Sequence, residues 1–308
     1  MTAEPSVEAL LTADEPLSRH TYLRVGGPAQ YFATPSDRRQ LGRIAAWAHA
    51  SGLPLHVLGG GSNVLVADEG VTGVVVSLRD ACGAYEFDGK RVIVGAGVML
   101  PALARAAAER GLGGLEFAVG IPGAVGGALQ SNAGIGDGRA IGALVRNVEV
   151  LDGDALRVLE RDEVVFEYRT SSLRHSGLIV LSATLELNER PAAEIEAEMR
   201  ELLAARAATQ PTAGPNAGSI FRNPEGDYAG RVIEAAGLKG RAAGAASVSE
   251  LHANFIVHDG SATAADVVAL MSEVQQAVLE RFELWLEPEV EWWGSAERPA
   301  PWHGRPAG

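Results

Sequence analysis

Apolar residues recur along the chain at two spacings, and the changes between them predict short strands alternating with amphipathic helices. Residues 29–34 read as a strand. Behind Ser36 as cap, Leu41, Ile44, Ala45 and Ala48 share one helical face, and Gly52 ends the helix. Apolar runs at 55–58, 64–67 and 74–78 read as strands, which makes this region a small α/β unit. Tyr85-Glu86-Phe87 and residues 91–94 flank Asp88-Gly89-Lys90, a hairpin signal. An Ala-rich helix follows at 101–110, with Pro101 at its first position and Gly111 as its stop. Runs at 148–151 and 156–159 flank another Asp-Gly turn, and 166–169 and 178–187 read as further strands. A charged helix at 194–208 connects to a segment that shifts, after Pro211, to Gly, Ala, Pro and Asn. Beyond it come a helix at 230–236, a strand at 254–257, a long helix at 264–282 capped by Thr263, and a strand near Val290. Val267, Leu270, Met271, Val274 and Val278 form the apolar face of the long helix.

The ends are read as tails. Residues 1–18 are polar and acidic, without the basic-then-apolar order of a signal peptide. The tail from Ser295 carries Pro299, Pro301 and Pro306 and is expected to be disordered. A length of 308 residues allows two or three domains. The net charge of −13, from 26 basic and 39 acidic residues with no basic run, argues against nucleic acid or an anionic membrane as partner. It leaves room for an anionic small ligand held by local loops. No segment approaches the ~20 apolar residues of a membrane span. Cys82 is the single cysteine, so neither an internal disulfide nor a thiolate metal cluster is expected, and a reducing cytoplasm fits. The histidines show no metal-ligand spacing, so no metal site is expected.

Two glycine-dense stretches carry candidate chemistry. In Gly59-Gly60-Gly61-Ser62-Asn63-Val64-Leu65, three missing side chains permit close approach to the backbone, and consecutive amides in such a turn converge on an anion. A tight turn between two strands needs the same residues. The second stretch, Gly120-Ile121-Pro122-Gly123-Ala124-Val125-Gly126-Gly127-Ala128 through Ser131-Asn132-Ala133-Gly134, leads into an expected helix N-terminus, another place where amides face phosphates. Close helix packing explains its glycines equally well. Neither dinucleotide nor P-loop fingerprints fit: no Gly-Lys-Ser/Thr is present, and Gly61 leads into a strand rather than a helix.

Five ordered blocks make the chain resemble the UDP-N-acetylenolpyruvoylglucosamine reductase family from about Thr21 to Gly294. They are Thr21-Tyr22-Leu23-Arg24-Val25-Gly26-Gly27-Pro28-Ala29, the Gly59 loop, the Gly120 stretch, Tyr168-Arg169, and Gly218-Ser219 with Phe221, Asn223 and Pro224; Glu287-Pro288-Glu289-Val290 closes the series. The resemblance implies an α+β fold. Two FAD-binding subdomains of the vanillyl-alcohol-oxidase (PCMH) type would occupy 19–80 and 81–190. A connecting helix at 191–210 would lead to an α/β substrate-binding domain at 211–294, with tails at 1–18 and 295–308.

The resemblance further implies that NADPH reduces non-covalently bound FAD, which reduces the enolpyruvyl group of a UDP-sugar in peptidoglycan precursor synthesis. Hydride addition leaves carbanion character beside a carboxylate, which calls for a proton donor and for charge stabilisation. By resemblance Ser219 is that donor, and Arg169 and Glu289 stabilise the intermediate and orient the substrate. FAD would lie against Gly59, Gly60, Gly61, Ser62, Asn63, Val64 and Leu65, and against Gly120, Ile121, Pro122, Gly123, Gly126, Gly127, Asn132, Ala133 and Gly134. No histidine stands in these loops for a covalent link. Tyr168, Arg222, Asn223, His252 and Asn254 are candidate substrate contacts. Arg222 stands where the family often has Lys, and Leu251 where a basic residue is common. No tyrosine occurs between Tyr168 and Tyr228, so the tyrosine-bearing lid of the longer family form is expected to be absent. A monomer is expected. Two other readings stay open: another FAD-dependent oxidase or dehydrogenase of the same fold, and a non-catalytic nucleotide-binding module.

Overall fold

The computed structural model describes residues 5–294 and 297–306. It is α+β and divides into two units. The first holds 31–60 and 73–206 with the segment before Asp14; the second holds 14–30, 61–72 and the chain from Ala207 on.

In the first unit Leu55–Leu58 pairs parallel with residues 74–77, Leu55 opposite Val74. Helix Arg38–Ala50 buries Leu41, Ile44 and Ala48 in a core shared with Val74 and Val76. Its cap is Asp37, one residue later than expected: the Asp37 carboxylate accepts the Gln40 N–H at 2.8 Å. Ser36 instead donates its own N–H to Gln40 Oε1.

A five-stranded antiparallel sheet follows, in the spatial order Ala155–Glu160, Val145–Asp152, Ile179–Glu186, Arg91–Gly95, Tyr85–Asp88. Asp88 pairs with Arg91 across a two-residue turn in which Gly89 adopts φ +55°, the conformation such hairpins need. One face is buried and one is not: Val92 and Val94 are fully buried while Ile93 between them is exposed. Leu100, Leu103, Ala104 and Ala107 of helix Leu100–Ala108 are buried in the same core as this face.

The second unit has its own core, of Leu23, Val25 and Leu65 together with Ile220, Phe221, Val232, Ile233 and the apolar face of helix Ala264–Phe282. Thr263 and Asp266 form a capping box at the start of that helix. The Asp68 carboxylate also accepts the N–H groups of Ala264 (2.8 Å) and Ala265 (2.9 Å), placing a negative charge at the helix's positive end. Strand Val64–Val66 runs parallel to Glu291–Trp293, Val64 opposite Glu291. Residues 61–72 join the C-terminal segment, whereas 31–60 and 81–190, expected in separate subdomains, lie in one unit.

Both expected tails are corrected over their described parts. Near the N-terminus, Thr12–Pro16 is a strand and Leu17 is fully buried. Val7, Leu10 and Leu11, at helical spacing, pack on the first core, and Glu8 accepts the Trp47 indole N–H at 3.1 Å. At the C-terminus, Pro301 is buried and the Trp302 indole N–H donates to Val290 O at 3.1 Å. Gln275, 1% exposed, donates to both Leu286 O and Pro301 O. A single aromatic anchor outweighs the proline content. The remaining residues of those expectations, 1–4, 295–296 and 307–308, lie outside the described residues. Among the described residues no helix is long and apolar enough to cross a membrane.

Candidate active site

The two glycine loops meet. Within the first unit, a Cβ on Gly60 would stand 2.6 Å from Gly123 Cα and 3.1 Å from Ala124 N, and one on Gly59 would touch the Ala124 methyl at 3.5 Å. Backbone lies on backbone, and no residue larger than glycine fits at Gly60. Gly61, in the second unit, has φ +65°, and its side-chain position is filled by His20 O at 2.1 Å and Thr21 Cα at 3.0 Å. Its carbonyl accepts the Tyr22 N–H at 2.9 Å.

Asn63, Val64 and Leu65 of the first loop also join the C-terminal strand. Asn63 Nδ2 donates to Glu289 O at 3.0 Å and Asn63 O accepts the Glu291 N–H at 3.0 Å, so this residue fastens the C-terminal strand. Val64 and Leu65 are buried in strand pairing. Ser62 is half-buried.

The second stretch does form a helix, Val125–Gln130, and its first two amides are bonded within the fold. Val125 N–H donates to Val98 O and Gly126 N–H to Ala96 O, both at 2.9 Å. The turn after strand Arg91–Gly95 thus takes up these two amides. Gly126 is glycine because Ala96 Cβ lies 2.9 Å from where its own Cβ would be. Gly123 O accepts the Leu100 N–H at 2.9 Å. Gly127 is exposed, and Ile121 and Pro122 are half-buried. A Cβ on Gly120 would lie 3.2 Å from Arg206 Cδ, and burial holds the Arg206 guanidinium below its ordinary pKa. Ala133 O accepts the Ile141 N–H at 3.0 Å, and Gly134 has Arg139 O 2.2 Å from its side-chain position.

Arg169 is held by the end of this second stretch. The expected strand at 166–169 is instead a tight hairpin, with Glu167 opposite Thr170 and Tyr168-Arg169 as its two-residue turn. Arg169 adopts φ +55°, an unusual conformation for a side chain of that size and one that accumulates at functional sites. Three bonds brace the turn. Asn132 Nδ2 donates to Glu167 O at 2.9 Å, Ser171 Oγ to Gln130 O at 3.1 Å, and Arg169 Nη1 to Gly134 O at 2.8 Å. Asn132 Oδ1 meanwhile accepts the Gly142 N–H at 3.0 Å. Both ends of the Asn132 side chain are thus engaged by backbone. Tyr168 is 52% exposed, with the Arg169 guanidinium 5.6 Å from its ring centre.

Within the second unit, Ser219 and Glu289 lie on paired extended segments. Glu289 N–H donates to Ile220 O at 2.7 Å, and Phe221 bridges Pro288 in antiparallel register. Ser219 is half-buried and follows Gly218 at φ +73°. On the other edge, Ile220 N–H donates to Asn254 O at 2.9 Å. The Asn254 side chain, 3% exposed, bonds Phe221 N (3.0 Å) and Phe221 O (2.8 Å). Asn254 therefore braces the Ser219 segment. Asn223 is exposed and its Oδ1 caps helix Ala229–Ala235 at Ala229 N. Arg222 lies 4.0 Å from the Glu287 carboxylate.

His252 is half-buried against Phe255, and its Nδ1 accepts the Asn254 N–H at 3.2 Å. That bond requires an unprotonated Nδ1. Burial, followed by the nearby Lys239 ammonium, holds the imidazole below its ordinary 6.5. A histidine lowered by folding contributes stability that is present above its unfolded value and is lost as pH falls below about 6.5. Urea midpoints between pH 7.5 and pH 5 are expected to fall less steeply in His252→Asn than in the wild type. An unchanged slope would remove His252 from this account.

The paired glycine loops offer a cradle of backbone without side chains, which fits the pyrophosphate of a dinucleotide cofactor. Residues 29–158 match the model of an FAD-binding domain, so the first class this fold and site define is that of FAD-binding flavoproteins. Residues 210–293 match the C-terminal domain of UDP-N-acetylenolpyruvoylglucosamine reductase. The chain is 49% identical over 282 residues to the UDP-N-acetylenolpyruvoylglucosamine reductase of Moorella thermoacetica, covering 91% of this chain and 92% of that protein. It is 48% identical to reductase 2 of Symbiobacterium thermophilum, covering 91% of each chain. The crystal structure of the reductase from Thermus caldophilus superposes with a TM-score of 0.78 at 43% identity, covering 90% of this chain and 97% of that one. The chain belongs to the UDP-N-acetylenolpyruvoylglucosamine reductase family.

Proposed function

We propose that this chain is the FAD-dependent enzyme that uses NADPH to reduce UDP-N-acetylglucosamine enolpyruvate to UDP-N-acetylmuramate for peptidoglycan synthesis. The observation that carries the reading is the pairing of the Ser219 segment with Glu289 inside the unit that matches the reductase C-terminal domain. FAD, when bound, supplies the hydride that adds to the terminal carbon of the enolpyruvyl group. Ser219 Oγ delivers the proton to the neighbouring carbon. A serine is a weak acid, so its proton leaves readily only when charge around the hydroxyl favours the developing carbanion's protonation. Glu289 and Arg169 stabilise the enolate and orient the substrate carboxylate. Asn254 and Asn63 hold the Ser219 and Glu289 segments in place, and Asn132 holds the Arg169 turn. Arg222 and Tyr168 remain candidate substrate contacts. The enzyme is taken as a monomer by default; its cytoplasmic reading rests on the single cysteine, and the shorter family form without a tyrosine lid on the spacing of its tyrosines.

The test is anaerobic stopped-flow absorbance at the oxidised-flavin band. NADPH is expected to bleach the band, and the enolpyruvyl UDP-sugar is expected to restore it. A flavin that reduces but stays bleached would discard the substrate and favour another flavoenzyme. A protein that takes up no flavin would leave the glycine loops as turns.

A further inference from the structure

The sequence around Thr21 alternates strictly. Thr21, Leu23 and Val25 are buried at 6%, 0% and 3% exposure, while Tyr22 and Arg24 between them are exposed. Leu23 and Val25 pack in the core of the second unit, so the inward face of this segment is apolar at every position except Thr21. A valine has the shape of threonine and would satisfy the same pattern. Thr21 brings only a hydroxyl, and that hydroxyl is buried with no hydrogen-bond partner among the described residues. A buried hydroxyl left unpaired opposes folding, so one that persists calls for an explanation in function.

Its position supplies one. Thr21 Cα lies 3.0 Å from the side-chain position of Gly61, and Gly61 O is clamped by the N–H of the next residue, Tyr22. Thr21 is therefore held against the turn of the first glycine loop, where Gly61 adopts positive φ. We propose that Thr21 is a cofactor-binding residue whose hydroxyl donates a hydrogen bond to a pyrophosphate oxygen of FAD at the Gly61 end of the loop. The proposal rests on the flavoprotein reading above. A hydrogen bond from a neutral donor to an anionic oxygen is charge-assisted and stronger than one between neutral groups.

The experiment uses the holoenzyme and two variants. FAD release on dilution, followed by recovery of flavin fluorescence, gives Kd without any turnover. Thr21→Val is expected to raise Kd for FAD about tenfold or more, the range for loss of a charge-assisted bond. Thr21→Ser, which keeps the hydroxyl, is expected to stay within about threefold of wild type. Thermal melts of the flavin-free protein give an opposite sign. Removing an unpaired buried hydroxyl is expected to leave Tm unchanged or raise it, while the gain in Tm on adding FAD shrinks. Wild-type Kd in Thr21→Val would overturn the proposal. So would a lowered Tm of the flavin-free Thr21→Val protein with Thr21→Ser unaffected, since the hydroxyl would then have a partner within the fold. A wild-type protein that binds no FAD would overturn the flavoprotein reading itself, and it is told apart because no variant is involved.

Discussion

Ser219→Ala is expected to bind FAD and to be reduced by NADPH as the wild type is, yet to be reoxidised by the enolpyruvyl UDP-sugar about 10²–10⁴-fold more slowly, the usual range for a lost proton donor. The separation of the two half-reactions is the discriminating feature. Flavin reduction needs no proton from Ser219, whereas completion of the product does. The fold tolerates the change on physical grounds. Ser219 is half-buried, and the bonds that hold its segment run through the backbone of Ile220, Phe221 and Glu289 and the side chain of Asn254, none of which involves the Ser219 hydroxyl. A rapid-mixing trace resolves both phases. Reoxidation at the wild-type rate would sink the role assigned to Ser219 and leave the flavin assignment untouched. Asn254→Ala provides the contrast, because it removes the brace. It is expected to lower stability by about 1–3 kcal/mol through the unpaired Phe221 groups, and to slow reoxidation only as far as the segment shifts.

Gly60→Ala is expected to lower flavin content sharply. Its Cβ would meet Gly123 Cα at 2.6 Å and Ala124 N at 3.1 Å, both in backbone that cannot swing aside as a long side chain does. The loops must separate, at a cost of about 1–3 kcal/mol for overpacking, and the cradle they form together opens with them. Purified Gly60→Ala is expected to carry little flavin and to melt below the wild type. Gly42→Ala is the matched control. It lies within helix Arg38–Ala50 with nothing within 4 Å of the added methyl, so it is expected to retain flavin and gain about 0.5–1 kcal/mol. The ratio of flavin to protein absorbance and a thermal melt read both. Full flavin occupancy in Gly60→Ala would mean that contact between the loops is not what holds the cofactor.

The elements themselves were legible because they rest on local periodicity. Helix Ala264–Phe282 with its Thr263 cap, the Asp88–Arg91 hairpin and the strands at Leu55 and Val64 follow from spacing, capping and turn residues alone. The misses have one cause in common. Asp37 rather than Ser36 as a cap, Leu17 and Trp302 as anchors, and the hairpin at Arg169 each depend on a partner distant in sequence or on which of two adjacent polar residues finds the amide. Proline content pointed to a disordered C-terminal tail; it could not say that Trp302 docks beside Val290.

The candidate site divides in the same way. Residue identities fixed the chemistry on offer: side-chain-free loops for an anion, a serine, a carboxylate and a guanidinium in the order the family resemblance requires. Which of them touch was decided by tertiary structure. The sequence could list Gly60 and Gly123 as two separate glycines, but only the folded chain lays one backbone on the other. It could list Asn63, Asn132 and Asn254 as polar candidates for ligands, and the fold engages each with backbone groups of another segment. An asparagine amide carries a donor and an acceptor, the complement of a peptide group, so folding often satisfies it with distant backbone before any ligand arrives. Thr21 is the converse case: the alternation of buried and exposed residues around it is written in the chain, whereas the lack of a partner for its hydroxyl becomes visible only when every neighbour is in place.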